Sequence, residues 1–271
     1  MTERIEEPAP TNPEDLEINF VIDGPVPDAA RDRARDMIQG LARKAPRPLL
    51  FARVKIKIDE DRPPNEDTIV QATVDVSGEL IRAQVAAPTP GEALNTLGER
   101  MGRRVRRVAE KRRTARKRPP RTPEGEWRKG DLPSSRPGYI ELPRDQRVVI
   151  RQKTYAPEKA SLEDALFDLD VLDYRFLLFT DELDGEDSVV YESDEGVMLR
   201  RLSGGERPDL PESLPIEMNT APAPEWTVSE ARADLDASNE TFLFFRDAST
   251  GRGAAMYRRY DGHYGVIEPS V

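Results

Sequence analysis

Eleven arginine or lysine side chains crowd residues 100–118 beside a single acid, Glu110, and the chemistry that such a run can do is neutralisation of a phosphate polymer. The charge is local. The whole chain carries a formal −10, and without that segment the remainder stands at −20. The side chains assigned to phosphate contact are Arg100, Arg103, Arg104, Arg106, Arg107, Lys111, Arg112 and Arg113. Backbone charge and shape, more than base identity, are what such cations read. Other chemistry is hard to assemble. There is no cysteine, which removes disulfides, thiolate metal sites and thiol nucleophiles and fits a reducing compartment. His263 is the lone histidine, beside Asp261-Gly262 in a turn, with no second histidine to complete a metal site or a dyad. The glycines of Ser203-Gly204-Gly205-Glu206 lack the Lys-Ser/Thr of a phosphate loop. The expectation is a chain that is not an enzyme, with no cofactor, no metal and no small-molecule substrate.

Behind the cations must stand elements that hold them. Alternation of Leu16, Ile18, Phe20 and Ile22 predicts a strand, and Asp23-Gly24-Pro25 a turn. Ala30, Ala34, Met37, Ile38 and Leu41 then recur at helical spacing. Three strands follow: Val54, Ile56 and Ile58 oppose Arg53, Lys55 and Lys57; Val70, Ala72, Val74 and Val76 oppose Gln71, Thr73 and Asp75; Ile81, Ala83 and Val85 oppose Arg82 and Gln84. Ser77-Gly78 reads as a tight hairpin. A final helix starts near Pro90 with Thr89 as cap, and its apolar stripe is Leu94, Leu97, Met101, Val105 and Val108. With that stripe on the sheet, Arg100, Arg103, Arg106, Arg107 and Lys111 are expected to project from the other sides. Past Val108 the stripe ends while the arginines continue, so that stretch is expected to order only on a partner. Arg53, Lys55, Lys57 and Arg82 either extend the cationic patch or form an ordinary solvated sheet face.

The second half repeats itself. Shifting the sequence by 66 positions superimposes residues 150–201 on 216–267 without a gap, pairing Asp168-Leu169-Asp170 with Asp234-Leu235-Asp236, Phe176-Leu177 with Phe242-Leu243, and Tyr191 with Tyr257. Each copy reads as a short strand, a helix opened by Ser161 or Thr227, and three strands. Thr241-Phe242-Leu243-Phe244-Phe245 is too apolar for one exposed face and needs cover on both sides, from its helix and from a partner sheet or another copy. Fourteen acids against Lys159 and Arg175 over residues 158–195 make the first copy a solvated, self-repelling surface, or one that keeps off nucleic acid, meets a basic protein or folds back on the basic helix.

The predicted class is α+β: a β-α-β-β-β-α domain, with a four-stranded sheet and two helices on one face, followed by two small tandem α+β domains. The boundaries are a disordered acidic leader at 1–15, without the basic and apolar regions of a signal peptide; a nucleic-acid-binding domain at 16–118; a linker at 119–146; copy 1 at 147–203; a linker at 204–213; and copy 2 at 214–271. No apolar run approaches the roughly 20 residues that span a bilayer, and a cytoplasmic location is expected.

Two motifs resemble a known family. The run Ala93-Leu94-Asn95-Thr96-Leu97-Gly98-Glu99-Arg100-Met101, followed by Arg103-Arg104-Val105-Arg106-Arg107, is similar to the second helix of the ribosome hibernation-promoting factors, with Gly98 and Gly102 departing from good helix chemistry. Thr241-Phe242-Leu243-Phe244-Phe245-Arg246-Asp247, Thr250-Gly251 and the run from Met256 through Tyr257-Arg258-Arg259-Tyr260-Asp261-Gly262-His263-Tyr264-Gly265-Val266-Ile267-Glu268 to Pro269 resemble the carboxy-terminal domain of the long forms, the sigma-54 modulation protein family. That resemblance implies a partner, the small ribosomal subunit and its rRNA within the 70S ribosome, with a ribosomal protein as a further partner of the carboxy-terminal domains and no membrane. It implies a first domain that occupies the decoding channel and blocks mRNA and tRNA, preserving idle ribosomes through stress and dormancy. Ordinary long forms pair their carboxy-terminal domain across two ribosomes. Two copies in one chain imply internal pairing in its place, through Phe242, Phe244 and Tyr257 on one side and Phe176, Leu178 and Tyr191 on the other, and no ribosome dimer. The alternative is a stress-induced RNA-associated adaptor whose acidic tandem domains bind a protein. A DNA-binding regulator would need a helix-turn-helix or zinc signature, which is missing.

Overall fold

The computed structural model describes residues 16–60, 62–115, 136–155, 159–210, 214 and 216–269. The leader at 1–15, the linker residues 119–135 and 211–213, the basic residues 116–118 and the side chains of Arg112 and Arg113 lie outside the described part. The described chain forms two compact units, the first built from residues up to 115, 136–137 and Val171–Asp173, the second from the rest beginning at Gly138.

In the first unit β1 (Ile18–Asp23), α1 (Asp28–Lys44), β2 (Leu49–Ile58), β3 (Thr68–Val76), β4 (Glu79–Ala87) and α2 (Pro90–Ala115) follow one another. The sheet order is β1-β2-β3-β4, with β1 parallel to β2 and the other pairs antiparallel. One sheet face is apolar because of strict alternation: Val54 and Ile56, Val70, Ala72 and Val74, and Ile81, Ala83 and Val85 are all buried under the two helices. The other face carries Arg53 and Lys55 in the open. Strand β2 starts at Leu49, ahead of the alternating stretch that opens at Arg53. Leu49, Leu50 and Phe51 are a continuous apolar run without alternation, and the pairing register shifts between Leu49 and Phe51, a bulge that resets the period. At the β3–β4 turn Ser77 and Gly78 both hold positive φ, 54° and 93°, the backbone of a two-residue hairpin loop. Gly24 is fixed by a different need: φ is +82° and a Cβ there would lie 2.3 Å from the Ile58 carbonyl oxygen. Gly24→Ala should lower the melting midpoint of the first unit by about 10 °C, the strain of the left-handed backbone adding to the clash; a midpoint indistinguishable from wild type would show that the turn relaxes freely.

The second unit holds both copies. Its elements are β5 (Val149–Tyr155), β6 (Lys159–Ala160), α3 (Leu162–Val171), β7 (Phe176–Asp181), β8 (Asp187–Ser193) and β9 (Gly196–Arg201), then β10 (Ile216–Asn219), β11 (Glu225–Trp226), α4 (Val228–Ala237), β12 (Phe242–Asp247), β13 (Gly253–Arg258) and β14 (Tyr264–Pro269). Helix α4 opens with a capping box, Thr227 Oγ1 accepting from the Glu230 amide at 3.3 Å while the Glu230 carboxylate accepts from the Thr227 amide at 2.8 Å. Ser161 accepts from the Asp164 amide in the same way at α3, at 3.1 Å.

The sheet orders are β10-β9-β8-β7-β6 and β11-β12-β13-β14-β5. The first strand of each copy therefore belongs to the other copy's sheet. β5, ahead of copy 1, runs parallel to the last strand of copy 2, and β10, ahead of copy 2, runs parallel to the last strand of copy 1. Around β5 the chain is strapped to copy 2. Tyr139 stacks on Tyr260 with centroids 5.4 Å apart, the Ile140 amide donates to the Tyr260 carbonyl at 3.2 Å, and the Val148 amide donates to His263 Nδ1 at 3.3 Å. The single histidine is thus engaged by backbone. Arg147 donates to the Leu142 carbonyl, to Asp236 and to the hydroxyl of fully buried Tyr264, which itself donates to Asp236.

Three buried clusters follow from this. Leu162, Leu166, Leu169, Phe179, Val190 and Leu199 fill the helix side of copy 1, and Ala231, Leu235, Phe245, Met256, Tyr264 and Val266 fill that of copy 2. The third combines Leu178, Val189 and Leu202 with Ala223, Phe244 and Ala255, so the far faces of the two sheets cover each other. Alternate residues of β12 serve the two clusters, Phe245 on the helix side and Phe244 on the seam, which is why the strand is apolar throughout.

Candidate nucleic-acid interface

Helix α2 buries Leu94, Leu97, Met101, Val105 and Val108 against β3 and β4. Gly98 lets α1 approach: a Cβ there would sit 3.1 Å from Met37 Cγ. The helix continues unbroken through Gly98 and Gly102. Where α1 flanks it, Arg33 donates to Asn95 at 2.9 Å.

The cations divide into two sets. Arg100 and Arg104 do not project into solvent: they are only 3 % and 4 % exposed. They lie one turn apart on the flank that overhangs β4, the edge strand, whose outward carbonyls need donors. Arg100 donates to the Gln84 carbonyl at 3.2 Å and Arg104 to the Arg82 carbonyl at 3.1 Å. Arg104 also pairs with Asp173 at 2.8 Å, and Arg136 joins the same carboxylate at 2.9 Å. Burial alone would raise the Asp173 carboxyl, but the Arg104 and Arg136 charges and the Gln84 amide hold it below the usual range. The second set faces outward: Arg106 and Lys111 are exposed and Arg103 and Arg107 half-buried. Elsewhere Arg31 and Arg35 lie over the Phe20 ring at 5.2 and 5.5 Å, Lys57 pairs with Asp59 at 2.8 Å, and Arg82 donates to Gln71 and Gln84, leaving Arg53 and Lys55 as the exposed bases of the open sheet face. Among the described residues no group of three or more acids and histidines is placed to hold a metal, and no helix is long and apolar enough to cross a membrane.

The residues expected at the seam between the copies are brought together in the second unit. The rings of Phe176 and Phe242 stack with centroids 4.7 Å apart and planes 6° from parallel, Tyr191 meets Phe242 edge-on at 5.1 Å, and Phe176 meets Tyr257 at 5.6 Å. Leu178 and Phe244 lie in the shared cluster. Sequence reasoning missed the polar half of this seam. Arg252 forks onto Asp187 at 2.7 and 2.9 Å, and the Gly253 amide donates to the same carboxylate at 2.9 Å. The signal was available in the 66-residue offset, which aligns Glu186-Asp187 with Arg252-Gly253, opposite charges at equivalent places.

Burial pushes the Asp187 carboxyl up, and hydrogen bonds from Arg252 and Gly253 more than reverse it; Asp181 behaves alike under Arg207. Both folded values lie below the unfolded one, roughly 3.9. Their stabilisation is therefore complete above that value and is lost as pH falls through the folded values. The midpoint of the second unit should drop as pH is taken from about 5 to about 3, and Asp181→Asn should flatten part of the slope. A thermal profile flat over that interval would refute the assignment.

The family model described as sigma 54 modulation protein / S30EA ribosomal protein matches residues 20–113, and that of the sigma 54 modulation/S30EA ribosomal protein C terminus matches twice, at 144–197 and 216–266. A dormancy associated translation inhibitor of Mycobacterium tuberculosis, from strains CDC 1551 and H37Rv, is 36 % identical over 134 residues, 46 % of this chain and 49 % of the relative. The chain thus spans about half the length of the curated relatives it matches. Among solved structures, the Thermus thermophilus Protein Y N-terminal domain matches with 21 % identity over 34 % of this chain and 99 % of its own, at a TM-score of 0.30. A ribosomal subunit interface protein from Coxiella burnetii matches with 18 % identity over 34 % and 97 %, at a TM-score of 0.29.

Proposed function

We propose, from the premise that this chain belongs to the sigma 54 modulation / S30EA ribosomal protein family, that it is a non-enzymatic ribosome hibernation factor of the cytoplasm. The first unit binds the small subunit of the 70S ribosome at the decoding channel, neutralises rRNA phosphates and blocks mRNA and tRNA. The observation that carries this reading is the one-sided cationic surface of α2, with Arg103, Arg106, Arg107 and Lys111 outside a fully apolar stripe in a chain of net −10. Arg112 and Arg113 continue the same run. Arg100 and Arg104 shape that surface by holding α2 on the edge of the sheet, and phosphate contact falls to the outward set. In the second unit the two copies pair with each other, which occupies the faces that would otherwise join a second ribosome. The stacking of Phe176 on Phe242 and the shared apolar cluster support that role for Phe176, Leu178, Tyr191, Phe242, Phe244 and Tyr257.

Sedimentation of purified ribosomes with the full-length protein, at low and moderate salt, tests both statements. Comigration with single 70S particles and no heavier peak is the expected result. A ribosome-dimer peak would overturn the pairing role, and protein left at the top of the low-salt gradient would favour an adaptor that binds a protein through its acidic copy. Each phosphate neutralised should contribute roughly 0.7–0.9 to the slope of log affinity against log salt.

A further inference from the structure

Two contacts at the seam join residues that the 66-residue offset makes counterparts. Phe176 stacks on Phe242, its own equivalent. Asp187 accepts the amide of Gly253, again its own equivalent. Contacts between equivalents mark where a symmetric pair would place its two-fold axis, and on that axis a homodimer must present the same residue from both sides. This chain does not. Copy 1 presents Glu186-Asp187 and copy 2 presents Arg252-Gly253.

The two halves fit in charge and in volume. Asp187, with a side chain 10 % exposed, takes two bonds from the Arg252 guanidinium and one from the Gly253 amide, and Thr180 of its own sheet supplies another at 3.1 Å. Glycine at 253 is required by space: a Cβ would fall 2.9 Å from Asp187 Cβ and 3.0 Å from the Phe244 ring. One layer further in, copy 1 carries Leu178 with Val189, while copy 2 carries Phe244 with Ala255 at the equivalent places, one larger and one smaller.

We infer that Asp187 and the Arg252-Gly253 pair form a heterotypic lock, by which copy 1 accepts copy 2 and each copy rejects its own kind. Copy 1 against copy 1 would set two Asp187 carboxylates face to face, with the neighbouring Arg201 of each copy already committed to its own Glu186 and Asp184. Both could not stay ionised in a buried seam. Copy 2 against copy 2 would set Arg252 against Arg252 across two glycines, with a gap where the carboxylate sits. Such mutual exclusion is specificity by repulsion as well as by attraction. The inference rests on the proposed internal pairing and names the residues that enforce it.

A double-mutant cycle on the full chain tests the lock. Arg252→Glu places an acid against Asp187 and should lower the midpoint of the second unit by about 5 °C, a modest figure because the Arg252 side chain is 39 % exposed. In an Asp187→Asn background the same change should cost less than half as much. Equal drops in the two backgrounds overturn the lock. If the Arg252→Glu chain does not fold, recovery of a folded chain on adding Asp187→Asn is the same coupling in stronger form, and failure to recover overturns it. Specificity has its own readout. Asp187→Lys and Arg252→Glu chains, unfolded and refolded together, should give a one-to-one heterodimer by sedimentation velocity, since the new cation of the first chain suits the new acid of the second; absence of that heterodimer overturns the inference. Ribosome dimers formed by the wild-type protein would instead refute the proposed pairing role while leaving the measured coupling in place.

Discussion

Reversal of Arg103 and Arg107 to glutamate is expected to leave the first unit folded and to weaken its hold on ribosomes by about 100-fold or more near 0.1 M salt, with the salt slope falling by about 2. Neither side chain belongs to the apolar stripe of α2, whose members are buried against the sheet. The paired substitutions place two negative charges where polyphosphate would approach, so repulsion adds to the two lost contacts. Arg100 and Arg104 provide the contrast. Their guanidiniums satisfy carbonyls at the outer edge of β4, and truncating them strands those carbonyls and, at Arg104, takes one cation from Asp173. Arg100→Ala and Arg104→Ala should therefore lower the melting midpoint of the first unit, whereas the Arg103 and Arg107 reversals should change binding and leave the midpoint within a few degrees. Translation inhibition assays read beside thermal melts separate the two behaviours. Full inhibition by the doubly reversed protein, with an unchanged salt slope, would remove Arg103 and Arg107 from the interface.

Cutting the chain between the copies should leave neither copy folded by itself. A piece comprising residues 206–271 lacks β5, and with it the neighbour of β14, the strap of residues 139–142 and the Arg147 guanidinium that completes the Tyr264–Asp236 pair. Tyr264, Phe245 and Met256 form a cluster against which Val149 packs, so its loss opens that cluster to water. The complementary piece, residues 136–205, lacks β10, whose Ile216 and Met218 pack on the core of copy 1, and keeps a β5 with no sheet to join. Expressed alone, each piece should give the narrow amide dispersion of an unfolded chain; mixed, the two should restore the dispersed spectrum of the second unit. A well-dispersed, monomeric spectrum from residues 206–271 alone would show that the exchanged strand is dispensable.

Local chemistry carried a large share of this architecture. The period-2 runs of β3 and β4, the Ser77-Gly78 turn, the stripe of α2 and the Thr227 and Ser161 caps each depend on residues close in sequence, and each is where the spacing puts it. The start of β2 was illegible because a bulge breaks the alternation on which the reading depends.

Residue types and their spacing were enough to establish that one face of α2 is apolar and that its other sides turn cationic from Arg100 onward, that two copies of one small fold follow, and that β12 needs cover on both sides. Which arginines reach solvent depended on the assembled sheet. Periodicity says which side of a helix is buried, but Arg100 and Arg104 are covered because α2 lies along an edge strand with outward carbonyls, a matter of sheet order. The exchange of β5 and β10 was likewise settled at a distance. The parallel pair of β5 with β14 joins segments far apart in sequence and leaves no local signature, since either copy's last strand presents the same backbone donors and acceptors to whichever strand is carried to its edge. The seam followed from that choice, for it set Asp187 opposite Arg252 and Gly253, and charge and volume then made the two copies fit each other.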